Sequence, residues 1–281
     1  MRALTVFIAC LALWINADCQ TQSALPFSGP FQRMQLHSTH LNEDRILNIY
    51  LPLGYDTLPQ QRYDVMYLLD GSMDEDFIHV CGAVQFLSFP WIAQCVPTII
   101  VGIENVDRRR DFTFPTTVAE DAATWPTTGH SAAFISFLAD ELQPFVDSHF
   151  RTTYRKILVG QSLGGLLGCQ IYLEKNQLFT DYLIISPSLW WDNESLLRRY
   201  KAALSENPNL TSKIYMAVGR EGKIMVGDAK RLHRMLKKLR KYEYNPPLLH
   251  LKDHDHADIG HMAVFYLLKE MHRAHQRREK F

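Results

Sequence analysis

The sequence predicts a mainly parallel α/β sheet covered by helices on both faces. Three observations carry that reading. Strand-like apolar runs alternate with helix-like segments along most of the chain. Several of those runs, YDVMYLL, PTIIVGI and KIYMAVG, lack the polar/apolar alternation of a half-exposed strand and read as strands buried on both faces. The stretch GQSLGG at 160–165 lies where an apolar run meets a helical one.

Taken in order, RMQLHST (33–39) and RILNIYLP (45–52) read as paired edge strands. YDVMYLLDG (63–71) is a buried strand ending in Asp-Gly, FIHVCGAVQFLSF (77–89) a helix, and PTIIVGIENV (97–106) the next strand. A long polar loop follows, then an amphipathic helix over 131–150. KILVG (156–160) is a strand, and 163–175 has Leu166, Leu167, Gln170, Ile171 and Leu173 at helical spacing. DYLIISPS (181–188) and KIYMAVG (213–219) are strands. A helix runs from Met225 to Tyr242, PLLHLKD (247–253) is the last strand, and a helix from Met262 closes the chain.

The 281 residues, 47% of them apolar, suit one large α/β domain or two small ones, and no internal repeat divides them. A formal net charge of zero favours neither nucleic acid nor an anionic membrane as partner. The N-terminus has the layout of a secretory signal peptide: one arginine, an apolar run from Ala3 to Ile15, then polar residues. The run is too short to span a bilayer. Residues 1–19 are therefore expected to be removed, leaving a single domain over 20–281 in the periplasm or outside the cell. In that oxidising space Cys81 and Cys95 are open to pairing, whereas Cys169 falls inside a helix and reads as packing.

Ser162 is the centre of GQSLGG. A strand that bends sharply into a helix lifts a serine clear of the sheet, provided small residues such as Gly160 and Gly164 relieve the crowding. The Leu163 N–H, at the helix start, then points toward an oxyanion. The plainer alternative is a structural turn with an inert hydroxyl. A serine nucleophile needs a base and an orienting acid on later loops, in that fold in the order Ser, acid, His. Glu221 follows the strand KIYMAVG directly, where ligands bind in open α/β sheets; Asp228 is the alternative acid. His254, His256 and His261 share the loop after the last predicted strand, and one base suffices. His254, His256 and Asp258 also resemble part of a zinc HxHxDH motif, but Ile259 stands where its last histidine belongs. A second oxyanion donor is expected after YLLDG, at Ser72 beside Gly71.

With these residues assembled, the sequence resembles the esterase D and enterochelin-esterase-like family of α/β-hydrolases, over about residues 32–272. The match runs through YLLDG (67–71), PTIIVGIENVDRRRDFTFP (97–115), GQSLGG, ISPSLWWDN (185–193), KIYMAVGREGK and LKDHDHADIGHMAVFYLLKEM. The resemblance implies the α/β-hydrolase fold and a carboxylic-ester hydrolase with Ser162, His256 and Glu221 as catalytic triad, His261 being the alternative base. It implies that an arginine of 108–110 faces the substrate, Arg110 being the candidate and an ion pair with Asp107 or Asp111 the alternative. Trp190 and Trp191 follow the strand next to the nucleophile's, where either walls the pocket, Trp190 being the candidate, or packs in the core. No metal or cofactor is required; the expected partner is a small-molecule ester, a siderophore of enterochelin type among the options. An acyltransferase and a non-catalytic binding protein on the same scaffold are the rival readings.

Overall fold

The structure, a computed structural model, describes residues 29–206, 210–239 and 246–278. Its strands are β1 (Phe31–Ser38), β2 (Glu43–Tyr50), β3 (Tyr63–Leu68), β4 (Thr98–Ile103), β5 (Thr152–Gln161), β6 (Asp181–Ile185), β7 (Lys213–Gly219) and β8 (Leu249–Leu251). They form one sheet in the order β1-β2-β4-β3-β5-β6-β7-β8. β1 pairs antiparallel with β2, and β2 with β4; every pairing beyond β4 is parallel. Every residue of β3, β4, β6 and β7 is buried, which is why their sequences are nearly continuous apolar runs.

The pleat divides the core in two. Val65, Tyr67, Ile99 and Val101 point to one face, while Met66, Leu68 and Ile100 point to the other. The second face is covered by α1 (Phe77–Ser88) and α9 (Ile259–Arg278), through Val80, Val84, Ala263 and Leu267. The first is covered by α4 (Ser131–Ser136), α5 (Gln143–His149), α6 (Leu163–Glu174), α7 (Trp191–Ser205) and α8 (Gly222–Leu239).

The structure departs from the sequence expectation in three places. The polar loop after β4 contains two short helices, α2 (Arg108–Phe112) and α3 (Ala119–Thr124). Asp107 caps the first by accepting the Arg110 N–H at 3.0 Å. The single helix expected over 131–150 is interrupted by a π-helical turn, Phe137–Leu142, just before Pro144. A proline has no N–H to complete the regular ladder, and the chain widens by one residue to accommodate it. Helix α7 is not predicted at all. Its Asp192, Asn193 and Glu194 are left-handed (φ 49°, 51° and 59°), so its helical apolar pattern starts only at Leu196.

The expected signal peptide, residues 1–19, lies outside the described residues. Among the described residues no helix is long and apolar enough to cross a membrane. Cys81, Cys95 and Cys169 are free and buried, so the Cys81–Cys95 pairing left open above is not formed. Burial pushes the Cys95 thiol up to about 12.

Helix α2 is tied to the sheet by a buried ion pair. Arg45 Nη2 on β2 lies 2.5 Å from Asp111 Oδ2, with side chains 1% and 0% exposed, and its guanidinium stands over the Phe134 and Phe137 rings. Glu43 and Arg110 complete the cluster, so removing Asp111 leaves two guanidinium groups, one of them buried, to share the single Glu43 carboxylate. Asp111→Ala is expected to lower unfolding free energy by about 3–5 kcal/mol in guanidinium titrations, and Arg45→Met with Asp111→Leu to recover most of that loss.

Candidate active site

β5 ends at Gln161, α6 begins at Leu163, and Ser162 makes the turn between them with φ 58° and ψ −116°. That conformation is strained for a residue with a Cβ, and it persists because the surroundings over-determine it. The Ser162 N–H donates to Ile185 O (3.0 Å), and its carbonyl accepts from the Leu166 and Ser188 N–H groups (2.9 and 3.0 Å). Gly160 supplies the clearance: a Cβ there would stand 2.5 Å from the Gly164 carbonyl oxygen. The Leu163 N–H opens the first turn of α6, where backbone donors have no intrahelical acceptor.

The loops following β7 and β8 bring two more residues to this point. His256 Nε2 is 3.0 Å from Ser162 Oγ. Glu221 lies behind it, its Oε1 3.6 Å from His256 Nδ1, with the carboxylate fully buried and the imidazole 44% exposed. Ser186 donates a 2.5 Å hydrogen bond to Glu221 Oε1. Among the described residues, His256 Nδ1 and Glu221 Oε2 are buried without a hydrogen-bond partner. Burial alone would raise the Glu221 pKa, but the imidazole 3.6 Å away and the Ser186 hydrogen bond outweigh it. The net effect holds the carboxyl below its ordinary value.

The alternatives sit elsewhere. His254 turns its Nδ1 to Asp258 (3.0 Å), and its carbonyl accepts the Arg220 N–H. His261 stacks edge-on against His79, ring centroids 4.6 Å apart. Asp228 is buried on α8 beside Glu194 and Arg231; burial and Glu194 push its carboxyl up to about 6. The zinc-like His254, His256 and Asp258 do not converge, and no group of three or more potential ligands does so among the described residues.

Ser162 and His256 face a shallow cleft of about 370 Å³ lined also by Asp70, Glu75, Asp76, Arg108, Gln161 and Ala257. Arg108 clamps Asp70 through Nε (2.5 Å) and Nη2 (2.9 Å), Asn105 donates to the same carboxylate (2.8 Å), and Asp70 itself has φ 54°. The Gly71 N–H is used by Ile103 O (3.0 Å), so the next amide of this loop is that of Ser72. Burial, with Asp70 and Glu75 adding to it and Arg108 opposing it, pushes the Asp76 carboxyl up to about 6.

The expectation for Arg110 is corrected. Its guanidinium is held by Glu43 (2.6 Å) and Asp111 (2.8 Å), and Arg108 is the arginine in the cleft. Trp190 is half-buried, its ring 6.3 Å from that of Trp125, over which the Arg109 guanidinium stands at 5.8 Å. It follows by two residues Ser188, whose Oγ is 3.2 Å from Ser162 Oγ. Sequence reasoning missed Gln161, Asp70, Ser186 and Ser188. Ser186 and Ser188 stand in the SPS of ISPSLWWDN, and only their hydroxyls hint at contact with a polar site.

Because the Glu221 carboxyl is held below its ordinary pKa, its ionised form stabilises the fold above the ordinary glutamate range. That contribution is lost as pH falls through the folded-state value. Glu221→Gln should thus be less stable than the wild type at neutral pH, and the gap should narrow with acidification in urea titrations.

Known proteins share this fold and family. The family model described as "Putative esterase" matches residues 38–243. The ferri-bacillibactin esterase BesA of Bacillus subtilis is 29% identical over 215 residues, 71% of this chain and 73% of the relative. A solved IroE-like serine hydrolase from Shewanella oneidensis superposes with a TM-score of 0.78 at 27% identity, covering 86% of this chain and 80% of that one. The enterobactin esterase FES of Shigella flexneri, at 20% identity over 87% of this chain and 59% of its own, shares the fold with a TM-score of 0.70. With the family model spanning most of the chain and the sheet in hydrolase order, the chain belongs to the "Putative esterase" family of α/β-hydrolases and is an ester-bond hydrolase.

Proposed function

We propose that the chain is a serine esterase acting on siderophore esters, with Ser162 as nucleophile, His256 as general base and Glu221 as the acid that orients it. The observation that carries this reading is the 3.0 Å contact between Ser162 Oγ and His256 Nε2 at a strained strand-to-helix turn. Ser162 gives its proton to Nε2 as Oγ bonds the ester carbonyl carbon and the carbonyl electrons move to oxygen. The N–H groups of Leu163 and Ser72 receive that oxyanion; one such donor is typically worth about 3 kcal/mol of transition-state stabilisation. His256 returns the proton to the departing alkoxide, and water repeats the sequence to release the acid. Glu221 fixes the tautomer with the proton on Nδ1. The 3.6 Å separation shortens as the imidazole becomes charged.

The relatives support the substrate class: BesA is named a ferri-bacillibactin esterase and FES an enterobactin esterase. Trp190 and Trp125, their rings tilted 53° to each other, and Arg109 over the second, put aromatic faces and a cation together, a combination suited to an aryl group that carries negative charge. The apolar run Ala3–Ile15 supports work in the periplasm or outside the cell.

The purified protein should hydrolyse a catecholate trilactone in preference to p-nitrophenyl butyrate, and a fluorophosphonate probe should label Ser162. Ser162→Ala should lose on the order of a thousandfold or more in kcat. Activity retained in that variant refutes the assignment of the nucleophile. No turnover of the trilactone alongside hydrolysis of simple esters refutes the substrate class alone.

A further inference from the structure

The residue just before Ser162 is joined to both halves of the site. Gln161 Nε2 donates to the His256 carbonyl oxygen at 2.8 Å; a carbonyl only accepts, which fixes the amide's orientation. Its own carbonyl accepts from Arg108 Nη2 at 3.2 Å, and Arg108 clamps Asp70, two residues before Ser72. Gln161 is also held by the sheet, paired with Ile185 at the end of β5.

Across the cleft, Gly260 is the second residue of α9. A Cβ built there would lie 2.1 Å from Gln161 Oε1, 3.2 Å from its Cδ and 3.8 Å from its Nε2, and those are the three nearest atoms. The amide thus occupies the space a side chain at 260 would need. Alanine is the better helix former, yet the three atoms nearest a side chain at 260 all belong to Gln161, so glycine leaves the amide its room.

We propose that Gln161 is a positioning residue: its amide sets the distance between the His256 loop and the nucleophile turn, and Gly260 is small to admit it. The inference rests on the triad reading above. His256 hangs from a loop between a three-residue strand and α9, its ring 44% exposed and its Nδ1 without a hydrogen bond. The loop is tied at His254 by the Arg220 N–H (2.7 Å) and by Asp258, while at His256 itself the bonds are those to Ser162 Oγ from the ring and to Gln161 Nε2 from the carbonyl. An imidazole displaced by an ångström from its serine costs the reaction far more than it costs substrate binding.

Two substitutions remove the same hydrogen bond from opposite sides. Gln161→Met keeps the volume and loses the donor. Gly260→Ala leaves Gln161 intact, pushes its amide aside, and favours the helix itself. Each should lower kcat about tenfold with KM held within about twofold. Gly260→Ala should melt no lower than the wild type, and the double variant should be no slower than either single one.

Loss in only one single variant, loss in neither, or losses that multiply in the double variant overturns the proposal. So does lost activity that tracks lowered melting temperature, or a loss carried by KM rather than kcat. Ser162→Ala, assayed alongside, separates the two levels. If it is silent while Gln161→Met matches the wild type, the positioning role falls and the hydrolase reading stands. If it stays active, both fall.

Discussion

The site depends on one strained backbone. Ser162 holds a positive φ because Ile185 accepts its N–H and Ser188 and Leu166 donate to its carbonyl, so the strain is distributed over β6, the segment after it and α6. Those same hydrogen bonds aim the hydroxyl at the cleft and leave the Leu163 N–H at an open helix end. The parallel sheet supplies the rest. Every loop that carries a functional side chain leaves the C-terminal end of a neighbouring parallel strand, so residues distant in sequence arrive on one rim.

The charges on that rim are arranged in pairs rather than spread evenly. Asp70 is neutralised by Arg108, Glu221 is shielded from water behind His256, and Arg110 is spent on Glu43 and Asp111. Asp76, against its acidic neighbours, is the carboxyl driven up, to about 6. Asp70, Glu75 and Asp76 thus face one arginine, Arg108, in the cleft beside Ser162, and that field bears on any ester that approaches.

Much of the architecture was legible in the residues. The uninterrupted apolar runs predicted buried parallel strands, and the glycines around Ser162 predicted the tight turn because only a missing Cβ fits beside the Gly164 carbonyl. The order Ser162, Glu221, His256 could be searched for because each candidate follows a strand. What escaped was decided by three-dimensional packing. Arg108, Arg109 and Arg110 are identical as letters; a one-residue step around a short helix sends one to Asp70, one over Trp125 and one to Glu43. The π-helical turn and α7 were hidden for a related reason, since a widened or left-handed segment breaks the period that reveals a helix. Gln161 had no reading at all, because nothing local shows that its amide meets Gly260.

β8 has three residues, all of them half-buried, at the margin of the sheet. Three register pairs join it to β7, whereas β5 is paired on both sides. Fraying begins where the ladder is shortest. The arm bearing His256 therefore lets go under heat or denaturant while the floor bearing Ser162 is still intact. With His256 as the base proposed above, inactivation in such a molecule runs ahead of collapse, and it is undone on cooling as long as the longer strands have kept their places.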